Sequence, residues 1–286
     1  MRALAEFVMR GRSQAVFVAA LATGSVLFAW VGAAVVALIT LRKGTGQGAP
    51  VLLWAMLPAV VLAAMGDTGP STTLLGVMLA SVVLRSTASW SWALVAAVVS
   101  GLVTALVLLL FGQAYLQEIL TLLSDALSQL ASQSSDPVSL LAARPTIMQI
   151  AGLLGLGNAF TVVMCLLLAR WWQALLFNPG GFGTEFQGLR IPPQLAIALL
   201  LVGLLLSMLG ADYWLWALIL ILPFMFAGFA LVHSLAAKRQ ISSHWLGIFY
   251  FCWLIFDPIK ALVLIAAIVD SWVNIRNRIA SKQNSK

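Results

Sequence analysis

The chain holds two histidines, His233 and His244, eleven residues apart, and they are the first candidates for acid–base or metal chemistry. Neither has a second ligand nearby, and there is no HExxH helix, GxSxG elbow or Walker-type glycine loop. Polar tips at a helix end therefore describe them better than catalysts do. Glu118 and Asp125 are seven apart and could share one helix face as paired carboxylates, but such spacing also makes a solvated face. Gly180-Gly181-Phe182-Gly183 lacks the Lys-Ser/Thr of a phosphate cradle. Cys165 and Cys252 lie in apolar runs without CxxC spacing and are expected to pack as small hydrophobes. No enzyme, cofactor or metal site is expected.

Isolated polar residues inside apolar runs are the better candidates, because burying a polar group without a partner is costly. Asn158 is central to such a run, and Gln149 precedes it by about two turns. Ala151, Gly155 and Ala159 make a small-residue stripe beside it, so Asn158 is either interhelical hydrogen-bond glue or a solute contact. Arg85 lies between two apolar runs and either snorkels to the interface or meets a ligand. Asp257 and Lys260 are three apart beside Pro258, a spacing that permits mutual pairing at a broken helix. That break either closes a hairpin or forms a transporter-like site. The candidate ligand-binding set is Arg85, Asn158, Asp257 and Lys260, with the last three lining a polar pocket and Arg85 at its cytoplasmic rim.

The elements that carry these residues follow from composition. Of 286 residues 62% are hydrophobic and only 9% charged, against about 25% charged in an ordinary soluble domain. A folded soluble chain of this size cannot hide so much apolar surface. A soluble enzyme, a disulfide-stapled secreted domain and a disordered chain are excluded, and the bilayer is the expected solvent and first partner. Apolar runs cover residues 15–41, 50–65, 72–84, 88–111, 145–168, 194–209, 213–237 and 245–273. Lipid cannot satisfy a bare backbone, so these runs must be helical. The fold expected is all-α: a polytopic transmembrane bundle of about eight hydrophobic segments forming a single integral membrane domain. Within it, 15–112 supply the N-terminal helices, 113–144 an outer amphipathic segment, 145–275 the C-terminal helices and 276–286 a basic tail. The first run has no signal-peptide cleavage pattern and is expected to be retained.

The net charge of +7 reflects connectors rather than nucleic-acid binding, since no basic run is long enough for that. Arg42 and Lys43, Arg85, Arg170 and Arg190, and Lys238 and Arg239 mark one set of connectors. Asp67, then Glu118, Asp125 and Asp136, then Asp212 mark the other. The positive-inside rule assigns the basic set and both termini to the cytoplasm. That assignment holds at both ends if the first and last runs are broken or hairpin-like; the alternative is an N-terminal stretch lying flat at the interface as an exception to the rule. Thr23-Gly24 and Asp257-Pro258 are the expected break points.

Leu116, Ile119, Leu120, Leu123, Leu127 and Leu130 recur at helical spacing over 115–133, which predicts an amphipathic helix on the outer leaflet or capping the bundle. Asp136-Pro137 then has the form of a helix start. In 171–193, Trp171 and Trp172 suit a headgroup belt, and the glycines suit close turns. At the end, Asp270, Trp272, Asn274, Arg276 and Arg278 form an interfacial anchor, with arginines on phosphates and Asp270 able to pair with one of them.

That ending, Asp270-Ser-Trp-Val-Asn-Ile-Arg276, resembles the terminal signature of the YybS-like bacterial membrane proteins, a family named for its unknown function. Gly228-Phe-Ala-Leu-Val-His233 with Lys238-Arg239 and Ile241-Ser242 is similar to the family's penultimate span and turn. Phe177-Asn-Pro-Gly-Gly-Phe-Gly183, continuing through Phe186, Leu189, Arg190 and Pro192, is similar to its central loop. Leu41-Arg42-Lys43-Gly44, and Leu84-Arg85 with Trp90, resemble the shorter proteobacterial branch. The resemblance implies an all-helical protein of the bacterial inner membrane, remotely similar to the substrate-binding subunits of energy-coupling-factor transporters. Those subunits meet a coupling partner through an Ala-x-x-x-Ala face, a spacing matched here by Ala15 and Ala19 and equally by Ala33 and Ala37.

Two functions are therefore expected to compete. One is a solute-binding or transport-associated subunit whose small-molecule ligand the sequence does not name. The other is a non-transporting scaffold or assembly factor that holds other membrane proteins.

Overall fold

The computed structural model describes residues 1–25, 27–133, 136, 138, 144–276 and 278, with Ser243 in its backbone only. These residues form thirteen α-helices and one 3-10 turn, with no strand among them. The protein is an all-α helical bundle. A short helix α1 (Arg2–Arg10) leads into α2 (Arg12–Gly24) and α3 (Ala29–Lys43). Then come α4 (Thr45–Ala64), α5 (Gly69–Thr87), α6 (Trp90–Phe111) and α7 (Gln113–Gln133). The long α8 (Ile147–Phe177) follows, then α9 (Gly181–Gln187), α10 (Pro193–Met208), α11 (Trp214–Lys238), α12 (Ser243–Ile255) and α13 (Asp257–Val273).

The helices at 45–64, 90–111, 147–177 and 211–238 are long and apolar enough to cross a membrane, and the bent pair α12–α13 adds a fifth if taken as one span. The run 72–84 lies in the 19 residues of α5, and 194–209 falls within the 16-residue α10 and the residue after it. At 31 residues α8 is roughly 46 Å long, more than the ~30 Å hydrocarbon layer. It forms the centre of the bundle. Thr146 starts it with a capping box, accepting from the Gln149 backbone N–H at 3.2 Å while its own N–H donates to Gln149 Oε1 at 3.2 Å.

The first run is broken, as Thr23-Gly24 suggested, and α2 and α3 fold back on each other. A Cβ on Gly32 of α3 would meet Thr23 Oγ1 at 2.4 Å and the Ala19 carbonyl at 2.8 Å, so only glycine admits this approach. The hairpin returns Arg42 and Lys43 to the end of the bundle that holds α1. Lys43 Nζ donates to the Met9 carbonyl at 3.3 Å, and the Arg42 guanidinium lies 4.0 Å from the centre of the Phe177 ring. At about 20 Å and 22 Å the two arms fall short of a full crossing. Ala15, Ala19, Ala33 and Ala37 are all completely buried, so neither Ala-x-x-x-Ala face is open on the surface of this chain.

The last run is broken at Phe256, where α12 and α13 meet at 111°. Pro258 supplies the reason: in the first turn of α13 it has no N–H to offer the Leu254 carbonyl and its ring crowds that carbonyl, so one helix cannot run through. The amphipathic stretch is helical as expected in α7, yet only Leu116 and Ala131 are buried while Leu122, Leu123 and Leu130 remain exposed. Leu116 packs into the bundle near the helix start, and Arg144 Nη2 donates to Ser128 Oγ at 3.0 Å toward its end. The helix start expected at Asp136-Pro137 lies on a stretch of which only 136 and 138 are described.

Candidate functional site

Two polar regions occupy opposite ends of the bundle. At the end that holds Lys43, Glu185 of α9 receives Arg170 Nε at 3.0 Å, Arg170 Nη2 at 2.7 Å and the Trp90 indole N–H at 2.8 Å. Sequence reasoning overlooked Glu185 because the segment was read through its glycines and tryptophans. A single carboxylate between Arg170 and Arg190 was the available signal. The glycine-rich stretch is a short helix carrying Glu185 rather than a phosphate loop. Trp172 lies completely buried in the core rather than in a headgroup belt, while Trp171 is partly exposed.

The C-terminal signature also differs from an interfacial anchor. Asn274 takes a left-handed conformation (φ 50°) that turns the chain after α13 and sends Arg276 back into the protein. Arg276 is buried beside Asp270, with Nε 3.2 Å from Oδ2, and donates to the carbonyls of Gln187 and Leu189. Arg190 donates to the carbonyls of Asp270 and Ser271, each at 2.8 Å, and Lys238 reaches the Arg276 carbonyl at 2.7 Å. Burial lowers the pKa of Arg276 from its ordinary value, and the Asp270 carboxylate opposes that shift. The arginine is an internal staple joining α11, α13 and the segment after α9. It does not lie on lipid phosphates.

Near the opposite end, Asn158 of α8 is buried and joins three helices. Thr73 Oγ1 of α5 donates to Asn158 Oδ1 at 2.9 Å, and Asn158 Nδ2 donates to Ser100 Oγ at 3.0 Å and Thr104 Oγ1 at 2.9 Å on α6. The small-residue stripe makes this possible. A Cβ on Gly155 would lie 2.5 Å from the Gly101 carbonyl, and one on Gly101 would lie 2.6 Å from the Gly155 carbonyl. Asn158 also lines a cavity of about 280 Å³ between α5, α6, α7 and α8, together with Asp67, Thr72, Thr104, Tyr115 and Thr161. Tyr115 has its pKa raised first by burial and then by the Asp67 and Glu118 carboxylates.

The four candidate residues do not meet in one site. Thr73, which touches Asn158, and Arg85 are twelve residues apart on α5, about 18 Å along the axis. Arg85 donates to the Leu41 carbonyl and lines a separate cavity of about 470 Å³ with Arg170 and Glu185. Lys260 Nζ pairs with Asp257 Oδ1 at 2.7 Å at the tip of the bent pair, where Asp257 is 89% exposed. A common pocket for Asn158, Asp257 and Lys260 is thereby corrected, because the kink carries the charged pair to the surface. His233 is half-buried and shares a 2.8 Å hydrogen bond with the Tyr250 hydroxyl, whereas His244 is exposed. Cys165 is buried with Sγ 3.3 Å from the Trp30 carbonyl. Among the described residues no three His, Cys, Asp or Glu side chains converge to hold a metal ion.

No family model matches the chain, and no curated protein or solved structure is similar enough to it to count as a match.

Proposed function

We propose that this protein is a solute-binding or transport-associated subunit of the bacterial inner membrane, and that its solute occupies the Asn158 cavity. One observation carries the proposal: a half-open cavity of about 280 Å³, lined by hydroxyls and the Asp67 carboxylate, in a chain that is 62% hydrophobic. Asn158, Thr73 and Thr104 are buried at its floor, and Asp67, Thr68, Thr72, Tyr115 and Thr161 are half-buried around it, so a solute entering it meets polar groups that lipid cannot serve. The volume is near the lower bound of ordinary ligand pockets. The likeness to YybS-like proteins rests on the residues quoted above and agrees with such a role. The basic end faces the cytoplasm under the positive-inside rule, both termini are cytoplasmic, and the α2–α3 and α12–α13 pairs enter and leave on that side. The protein binds its solute without transforming it, and any energised transport draws on separate coupling and ATPase subunits.

Native mass spectrometry of the full chain in mild detergent tests this. Gly157 lines the cavity, and a Cβ there would meet nothing within 4 Å, so Gly157→Leu adds bulk at the cavity wall without a clash at its Cβ. The wild-type protein is expected to carry a bound small molecule that Gly157→Leu loses. Identical spectra with no adduct would reject the proposal. A scaffold role is favoured by one feature, the exposed Leu122, Leu123 and Leu130 face of α7. Capture of another membrane protein through that face, with an empty cavity, would support it instead.

A further inference from the structure

The hydrogen-bond accounting around the Asn158 cavity restricts what can occupy it. Thr73 Oγ1 spends its hydrogen on Asn158 Oδ1, Thr104 Oγ1 on the Ser100 carbonyl and Thr161 Oγ1 on the Gly157 carbonyl. Thr72 Oγ1 has its one hydrogen within reach of the Thr68 and Gly69 carbonyls, at 3.2 Å and 3.1 Å. Both amide hydrogens of Asn158 are committed to Ser100 and Thr104. A hydroxyl that has spent its one hydrogen can offer only lone pairs, and an ionised carboxylate offers nothing else. The oxygens of Thr72, Thr73, Thr104 and Thr161 are therefore acceptors, the Thr68 and Tyr115 hydroxyls are the side-chain donors left on the wall, and Asp67 is the one formally charged side chain lining it among the described residues.

The electrostatics have the same sign. The connectors at this end carry Asp67, Glu118, Asp125, Asp136 and Asp212 against Arg144 alone. Thr146 Oγ1, which donates to Asp212 Oδ1 at 2.9 Å, ties the start of α8 to that acidic group. An anion would meet the Asp67 carboxylate and the negative connectors, with only the Thr68 and Tyr115 hydroxyls to donate to it. A neutral solute would leave Asp67 without a counter-charge in a partly desolvated hollow. A bare metal ion would leave most of 280 Å³ empty, since a water molecule's share of liquid volume is only about 30 Å³.

Resting on the reading of this hollow as the solute site, we propose that it takes a small organic cation bearing N–H donors, a primary ammonium or a guanidinium. Its charge faces Asp67, and its N–H groups point at the threonine oxygens. Charge-assisted N–H···O hydrogen bonds are about twice as strong as neutral ones, so the carboxylate is the main determinant of selectivity. Asp67 Oδ1 also accepts from the Gly69 backbone N–H at 3.0 Å. Asparagine keeps that acceptor, so Asp67→Asn removes the charge without removing the turn.

The test is ligand-dependent thermal unfolding of the full chain in neutral detergent, using four probes of similar size. Propylammonium has charge and N–H donors, tetramethylammonium has charge alone, 1-propanol has neither charge nor N–H, and propionate is an anion. Saturable stabilisation by propylammonium is expected, with tetramethylammonium at least fivefold weaker and the other two inert. Asp67→Asn is expected to weaken propylammonium about tenfold, and Gly157→Leu to abolish its effect. Preference for 1-propanol or propionate, lost in Gly157→Leu, would overturn the cation assignment and leave the cavity standing as a solute site. Equal binding by wild type and Asp67→Asn would overturn it too, as would stabilisation by sodium ions alone. Absence of saturable stabilisation by any probe, with wild type and Gly157→Leu alike, would overturn both the assignment and the reading beneath it.

Discussion

Asp270 and Arg276, six residues apart, form an ion pair inside the bundle, with side chains only 2% and 8% exposed. A regular helix would set residues six apart on different faces. The left-handed Asn274 ends α13 between them and turns Arg276 back, and Asp270 Oδ1 also accepts from the Ile275 backbone N–H at 2.8 Å. The chain's last described turn is thereby locked to α11 and to the segment after α9.

Removing one partner leaves a buried charge uncompensated, so Asp270→Ala is expected to cost about 3–5 kcal/mol of stability. Asp270→Ala combined with Arg276→Met should recover part of that loss, because an apolar pair leaves no orphan charge. Thermal unfolding of the detergent-solubilised variants measures both. A single variant as stable as wild type would contradict the staple.

At the α6–α8 interface, Gly155→Ala places a methyl carbon 2.5 Å from the Gly101 carbonyl, so the helices must move apart. Overpacking of this kind costs roughly 1–3 kcal/mol. Gly157→Ala, two residues away and facing open space, should be nearly neutral. If the two variants melted together, the close approach would carry no weight.

Asn158→Ala removes the shared partner of Thr73, Ser100 and Thr104. Interhelical hydrogen bonds in membranes average only about 0.6 kcal/mol, so the expected loss over three bonds is about 1–2 kcal/mol. Double-mutant cycles with Thr73→Val should show coupling, and strict additivity would count against it.

Asp257→Asn is expected to leave any bound solute in place, since the Asp257–Lys260 pair stands at the exposed tip of the bent helices and away from Asn158. Exposed pairs of this kind contribute less than about 1 kcal/mol. Loss of a co-purified ligand in that variant would return the kink to the binding site.

Topology can be probed in a chain whose own cysteines are replaced. Thr45→Cys lies beside Lys43 at the basic end, and Ser132→Cys lies at the far end of α7. A membrane-impermeant thiol reagent added to intact cells should label Cys at 132 and spare Cys at 45. The reverse pattern would invert the orientation.

The sequence by itself determined that the chain is an all-α bundle built of apolar helices. It also pointed to interruptions in the first and last runs, leaving a flat interfacial N-terminal stretch as the alternative for the first. The helices follow from lipid demanding internal hydrogen bonding, the last interruption from a proline that has no N–H for the preceding turn, and the first from the basic residues at both ends of its run. Asn158 and its small-residue stripe were legible too, because a lone amide among alanines and glycines has few other uses. The tertiary structure alone decided which polar residues meet. Asp257 and Lys260 looked like partners for Asn158 because all three interrupt apolar runs, yet a 111° bend sends them outward. Asp67, Thr72 and Thr161 gave no periodic signal, since they come from a connector and two different helices. Arg276 resembled a headgroup anchor until one left-handed residue redirected it. Periodicity reports which face of a helix is apolar. Where a turn points its polar groups depends on backbone angles and on neighbours far away in the chain.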